Sequence, residues 1–527
     1  MKNITFKGFD GYKYVEGGVC AAKGFKANGV YAGIKKNDKK KNDLTVIVSD
    51  AECCAAAVYT QNKVKGAPVT VTKKNLTVTG GKAKAVIANS KNANTCNSDG
   101  EEKAFRMCEL AAESVGCKPQ EVIVASTGVI GQKLPIEPIE KAMPELISGL
   151  SYTGNDAAAE AIMTTDTFPK QVAVEFTAGG KVCRLGGMAK GSGMIHPNMA
   201  TTLNFITTDC AVSSEMLQKA LSEIVKITYN CLSIDGDQST NDMVTLLSNG
   251  LAGNAEICAE GYDVFKQALY IVMMNMTRML AKDGEGATKL LECTVSGAKD
   301  QDTAITVAKS VICSSLFKAA MFGEDANWGR ILCAVGYADA DFDINAVDVK
   351  ISSAKGEIHV CENGAGIDFS EETAAQVLSA DEISVNITIG GGTFNISSGD
   401  DGIHADTILT INNGEINITT SAEGLEVNGV EINGGVISLR AYDDGINACD
   451  NSATGTTPYI SISDGSITSN ADGDGIDSNG TVSMSGGTLV VFGPTSNRDG
   501  ALDYDISFAM CGGTLIALGS RGMAQAP

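Results

Sequence analysis

Gly391-Gly392-Thr393-Phe394-Asn395-Ile396, followed at once by Asp401-Gly402-Ile403, opens a pattern that recurs to the end of the chain. Gly-Gly-Thr returns at 486–488 and 512–514, with Asn-Gly at 413–414, Gly-Gly at 434–435 and Asp-Gly at 464–465 in the equivalent place. An alternating run follows each, such as Val436-Ile437-Ser438-Leu439, and apolar residues at every second position mark a half-buried strand. The second element recurs as Glu423-Gly424-Leu425, Asp444-Gly445-Ile446, Asp474-Gly475-Ile476 and Asp499-Gly500-Ala501, its glycines 22, 21, 30 and 25 residues apart. A unit that short cannot bury its own apolar side, so neighbouring units must stack to make a core. The spacing predicts a right-handed parallel β-helix over 386–527, with about five or six coils.

Upstream of residue 386 the composition is different. The last 142 residues contain no lysine and three arginines (Arg440, Arg498, Arg521) against 17 acidic residues, whereas the first 385 carry most of the basic side chains. A 527-residue chain exceeds one ordinary core, and the break divides it into a front domain, 1–385, and the repeat domain. The whole chain has net charge −22 and a pI near 4.6, which excludes a basic face for nucleic acid. No stretch approaches the ~18 apolar residues of a membrane span, and Met1–Gly8 lacks a signal-peptide apolar core, so a cytoplasmic location is expected. The 16 cysteines form no C-x-x-C pair, consistent with reduced thiols rather than a disulfide or zinc framework. Histidines stand only at 196, 359 and 404, too few for a His-rich metal site or a Ser/His/Asp triad.

The front domain mixes helix and strand signals. Ser98-Asp99 precede an amphipathic run with Phe105, Cys108, Ala112 and Val115 on one face, closed by Gly116. Val122-Ile123-Val124-Ala125 reads as a buried strand ending in Ser126-Thr127-Gly128, and Ser213-Ser214 open a helix with Leu217, Leu221 and Ile224 inward. The segment richest in chemistry is Met188-Ala189-Lys190-Gly191-Ser192-Gly193-Met194-Ile195-His196-Pro197-Asn198-Met199-Ala200-Thr201-Thr202-Leu203. A glycine-rich loop here leads to a threonine that opens the alternating strand Leu203-Asn204-Phe205-Ile206. Such a threonine can attack the carbonyl before it, and hydrolysis of the ester leaves it as a new N-terminus. Its free amine, with a pKa of ~7.7–8, then serves as general base for its own hydroxyl, and no histidine is needed.

That segment resembles the ornithine acetyltransferase (ArgJ) family. So do Ala125-Ser126-Thr127-Gly128-Val129-Ile130-Gly131, Ile162-Met163-Thr164-Thr165-Asp166-Thr167, Asp235-Gly236-Asp237-Gln238-Ser239-Thr240-Asn241-Asp242 and Glu324-Asp325-Ala326-Asn327-Trp328-Gly329-Arg330. The resemblance runs from about Gly17 to about Ile383. It implies an α/β front domain of stacked sheets flanked by helices, with N-terminal-nucleophile chemistry and self-cleavage at Ala200–Thr201 into an α chain 1–200 and a β chain from 201. It further implies Thr201 as the acyl-accepting nucleophile, Thr127 and Gly128 as the oxyanion hole, and Thr164, Lys190 and Glu285 as substrate contacts. The implied reaction moves acetyl from N-acetyl-L-ornithine to L-glutamate by a ping-pong route without a cofactor, and many members also accept acetyl-CoA as a co-substrate. Family members are αβ heterodimers that pair into heterotetramers.

After Ile383 the family finishes with a glycine-rich strand pair and a tail whose Asn and Thr contact substrate. Here the chain passes into the repeats around Val385–Gly392, so the front domain is expected to be C-terminally truncated. The repeats themselves resemble acidic parallel β-helix carbohydrate-binding domains, which implies calcium and acidic polysaccharide as ligands. Asp401, Asp444 and Asp474 are the candidate calcium ligands, since aligned carboxylates suit a hard cation, while Asp-Gly pairs also favour turns with no ion bound. Two readings therefore compete: an acetyltransferase of arginine biosynthesis, or an inactive remnant of one carrying a calcium-dependent polysaccharide binder.

Overall fold

The structure, a computed structural model, describes residues 6–35, 41–196, 202–259, 261–390, 393–450 and 455–520. It divides into two compact units, Met1–Leu291 with Ile312–Lys318, and Glu292–Val311 with Ala319–Pro527.

The first unit is built on a nine-stranded sheet running Tyr12–Val15, Lys170–Ala178, Lys181–Lys190, Leu203–Thr208, Met243–Ser248, Leu44–Tyr59, Lys82–Asn89 and Val122–Ser126, with Phe25–Val30 added beside Leu44–Tyr59. The 16-residue strand Leu44–Tyr59 is the hinge of this sheet. Its first half pairs with Lys82–Asn89 and its second half with Met243–Ser248, and its register shifts between Val48 and Cys53. The two halves face each other, because Ile47, Val86 and Ile123 from one share a core with Met188, Leu203, Phe205, Met243 and Leu247 from the other.

Strand alternation assigns the remaining faces. Ile87 and Val124, one residue on from Val86 and Ile123, pack under the helices Ala67–Val78, Gly100–Val115 and Ile136–Ser148. Ala189, Ile206, Val244 and Leu246 pack under Ser214–Ile227 and Tyr262–Lys282. The layers are helix, sheet, sheet, helix, the stacked arrangement expected for the front domain. Of the caps read from the sequence, Asp99 makes no side-chain capping bond at the start of Gly100–Val115, and the other two are in place. Gly116 ends its helix at φ 74° and Ser213 accepts the Met216 amide, a cap worth ~1 kcal/mol.

In the second unit an antiparallel sheet sets Val347–Ser353 between Glu382–Ile389 and Gly356–Glu362. The composition break at 385/386 falls inside a strand of this sheet: Val385 pairs with Ile351, and Asn386 with Lys350. Only alternate residues of Glu382–Ile389 are buried, namely Ile383, Val385, Ile387 and Ile389. The outward positions can therefore change composition before the architecture does.

From Thr393 the described residues form strands and turns without a helix, and the strands pair in parallel with the repeat before and after. Three aliphatic columns line the interior: Ile403, Leu425, Ile446, Ile476; Val430, Ile460, Val482; and Ile416, Ile437, Ile467, Leu489. The repeated glycines have two physical causes. Gly414, Gly435, Gly465, Gly487 and Gly513 all take positive φ, which a side chain resists. Gly402, Gly424, Gly445 and Gly475 press on the next repeat, where a Cβ would stand 2.2–2.8 Å from its backbone oxygen.

No single helix among the described residues is long and apolar enough to cross a membrane, and all 16 cysteines are free thiols.

Candidate active site

Ala200 and Thr201, with Pro197–Met199, lie outside the described residues. The flanks of that segment are held closely. Downstream, Thr202 is buried and its carbonyl accepts the Met243 amide at 3.0 Å, while Leu203 pairs with both Met243 and Lys190. Upstream, the Ser192 carbonyl accepts the Glu285 amide at 2.7 Å, and the Asp235 carboxylate accepts the amides of Met194 and Ile195 at 2.6 and 3.0 Å. Met194 sits at φ 57°, a left-handed backbone that is uncommon for a non-glycine residue. His196 Nδ1 lies 3.0 Å from Ser233 Oγ and 3.8 Å from Cys313 Sγ.

Thr127 and Gly128 follow directly on the Val122–Ser126 strand. Thr127 is buried, with its amide on the Asn89 carbonyl at 2.9 Å. Gly128 has φ 135°, and a Cβ there would stand 2.2–2.6 Å from the Lys91–Asn92 peptide, so only glycine fits. Asn241 ties this turn to the strand beside Leu203. Its amide donates to the carbonyls of Ser126 and Ala93 at 3.0 and 2.6 Å, and its Oδ1 accepts from the Thr95 and Thr240 hydroxyls, both at 2.6 Å. The ends of Val122–Ser126, Leu203–Thr208 and Met243–Ser248 therefore meet at one place.

Lys190, half-buried, points its Nζ at the Thr164 hydroxyl, 3.4 Å away. Burial pushes this ammonium below the usual lysine range, against the pull of Asp166 and Asp242. Asp166 is buried and accepts Lys170 Nζ and the Gly191 amide at 2.7 Å each and the Thr164 amide at 2.9 Å. Burial alone would raise its pKa, but Lys170, Lys190 and the Gly191 amide outweigh it and hold the carboxyl at about 2. Asp242 is buried with less support, and burial pushes it up to about 8 despite Ser239 and Lys190. Glu285 is exposed and reaches over the loop that ends at His196, so that a Cβ on Gly193 would stand 2.6 Å from its Oε2.

Thr164, Lys190 and Glu285 are thus tied to the same loop, Lys190–His196, and Thr127-Gly128 is joined to the strand ends by Asn241. Two members of this site were not singled out from the sequence. Lys170 and Asp283 form a buried ion pair at 2.5 Å, and nothing in the local sequence of either position marks it.

In the repeat region, Asp474 groups with Asp477 and Asp503, their carboxylate oxygens all within 4.8 Å of one another. Asp401 groups with His404 and Glu426, with His404 Nδ1 at 3.3 and 2.8 Å from the two carboxylates. Asp444 belongs to neither group among the described residues, and its Oδ1 accepts the Asp474 amide at 2.7 Å.

The ArgJ family profile matches residues 26–400, and a profile described as a carbohydrate-binding domain-containing protein matches 344–507. The chain is 48% identical over 377 residues to the arginine biosynthesis bifunctional protein ArgJ 1 of Clostridium acetobutylicum, covering 71% of this chain and 91% of that protein. It is 47% identical over 388 residues to the ArgJ protein of Caldanaerobacter subterraneus subsp. tengcongensis, covering 73% and 95%. Among solved structures, an ornithine acetyltransferase complexed with ornithine from Mycobacterium tuberculosis is 36% identical, with TM-score 0.33, covering 36% of this chain and 100% of that one. By the extent of these matches, the chain belongs to the ArgJ family.

Proposed function

We propose that this protein is an ornithine acetyltransferase that cuts itself at Ala200–Thr201 and then transfers acetyl from N-acetyl-L-ornithine to L-glutamate. The observation that carries the reading is the convergence on one strand end of the Thr127-Gly128 turn, the Lys190–Thr164 pair and the loop leading into the cleavage segment. In the cleavage, the Thr201 hydroxyl adds to the Ala200 carbonyl and the peptide nitrogen leaves as the Thr201 amine. Water then hydrolyses the ester, leaving a carboxylate on Ala200. In transfer, Thr201 Oγ attacks the acetyl carbonyl while its amine takes the hydroxyl proton. The Thr127-Gly128 turn offers hydrogen-bond donors to the developing oxyanion. Ornithine departs with the proton, and the glutamate amine takes the acetyl group from the threonine ester.

Lys190 and Thr164 suit the substrate α-carboxylate, and Glu285 suits the ornithine side-chain amine. Acetyl-CoA as an alternative donor, αβ heterodimers pairing into heterotetramers and a cytoplasmic location are parts of the same proposal, which requires no cofactor for the transfer. So is a division into modules near residue 390, after the strand Glu382–Ile389, where the family's last strand pair and substrate-contacting tail give way to a right-handed parallel β-helix.

For the repeats, the reading is an acidic-polysaccharide binder. The all-oxygen set Asp474, Asp477 and Asp503 fits a calcium ion. Asp401 fits less well, since His404 already occupies its carboxylate, and Asp444 acts as a cap on the next repeat. Assaying acetyl transfer between N-acetyl-L-ornithine and L-glutamate tests the central reading. Transfer that disappears in Thr201→Ala supports it, and a cleaved wild type with no transfer contradicts it.

A further inference from the structure

We infer that Lys170 is a positioning residue that sets the distance between the carboxylate-binding and amine-binding ends of the substrate site. The inference rests on the acetyltransferase reading and on the roles proposed above for Thr164, Lys190 and Glu285. Lys170 is wholly buried, and its ammonium bridges two carboxylates that belong to different loops, Asp166 at 2.7 Å and Asp283 at 2.5 Å. A third contact runs to the Phe168 carbonyl at 3.5 Å.

Each carboxylate holds one end of the site. Asp166 fixes the Thr164 amide and the Gly191 amide, so it places the Thr164 hydroxyl and the residue following Lys190. Asp283 takes the amide of Thr167 at 3.0 Å and its hydroxyl, and stands two residues before Glu285. The Glu285 amide in turn closes on the Ser192 carbonyl. Lys170 therefore touches both the Thr164 loop and the Glu285 loop, beside the direct contact of Asp283 with Thr167. Removing Lys170 would take the shared ammonium from two buried carboxylates, and a buried charge without its partner is costly. Lys170 itself does not touch substrate. It acts by fixing the span that an acetylated diamino acid must bridge, from α-carboxylate to side-chain amine.

A length gauge makes a prediction that a plain structural role does not. In Lys170→Met, KM for N-acetyl-L-ornithine is expected to rise about tenfold while kcat stays within about threefold, the split that marks lost substrate placement. Discrimination against N-acetyl-L-lysine, one methylene longer, is expected to collapse by a similar factor, and Lys170→Arg is expected to restore much of it. Where Lys170→Met alone does not fold, the double variant Lys170→Met/Asp283→Asn removes one of the two stranded charges, leaves Asp166 with Lys190 and its two backbone amides, and reports the same discrimination. Unchanged discrimination in whichever of these two variants folds overturns the inference. So does an equal loss of kcat for both substrates with a lowered melting temperature. If neither variant folds, Lys170 is a fold determinant and the inference also fails. A wild type that neither transfers acetyl nor binds N-acetyl-L-ornithine contradicts the acetyltransferase reading instead.

Discussion

The two units handle buried charge in opposite ways. In the first, Asp166, Lys170 and Asp283 are sunk together, each carboxylate matched by an ammonium and by backbone amides. In the repeats, acids stack on acids: burial and like-charged neighbours push Asp444 up to about 7, with Asp477, Asp474 and Asp443 as its charged neighbours. The difference follows from chain geometry. A layered α/β sandwich brings residues more than a hundred positions apart into contact, so opposite charges can be paired at will. A parallel stack places equivalent residues of successive repeats above each other, so a sequence repeat becomes a charge repeat.

Replacing one charge in each region breaks the comparison most directly. Asp166→Ala takes one of Lys170's two buried carboxylates and the acceptor of the Thr164 and Gly191 amides, and is expected to destabilise the first unit by about 3–5 kcal/mol in denaturant unfolding. Asp444→Asn keeps an oxygen for the Asp474 amide and relieves repulsion, so in chelator-treated buffer the repeats are expected to hold or gain stability. A loss of equal size in both would show that the two regions are not different in kind.

Packing gives the next largest effect. Gly475→Ala puts a methyl 2.1 Å from a Val491 methyl and 2.8 Å from the Ala501 carbonyl, which is expected to cost the repeats about 1–3 kcal/mol while leaving first-unit unfolding unchanged.

Read per pH unit, the smallest effect is a slope. Folding lifts Asp242 from its ordinary 3.8 to about 8, so the folded state keeps a proton that the unfolded chain has lost. Its contribution is intact below about pH 4 and declines as pH rises toward 8, by up to ~1.4 kcal/mol per pH unit. Asp242→Asn is expected to flatten that decline in melts of the first unit between pH 5 and 8. An unaltered slope would mean the carboxyl is ionised in the fold.

Legibility in the sequence followed the same division. The repeats were readable because each structural cause recurs: positive φ at Gly435 and Gly465, contact with the next coil at Gly424 and Gly445. In the first unit the strand Val122–Ser126 was readable from its apolar run, and the helix Ser214–Ile227 from its cap and its apolar face. The Lys170–Asp283 pair was not, since nothing local links positions 113 residues apart. Nor was the true course of Glu382–Ile389, whose outward residues already carry the repeat-like composition.

The central claim is that the site around Ala200–Thr201 is assembled and reactive, and the denatured mass of the purified protein tests it. The account predicts two fragments for the wild type, one ending at Ala200 and one beginning at Thr201, beside an intact Thr201→Ala variant. A wild type that remains a single 54.5 kDa chain under native conditions would contradict it.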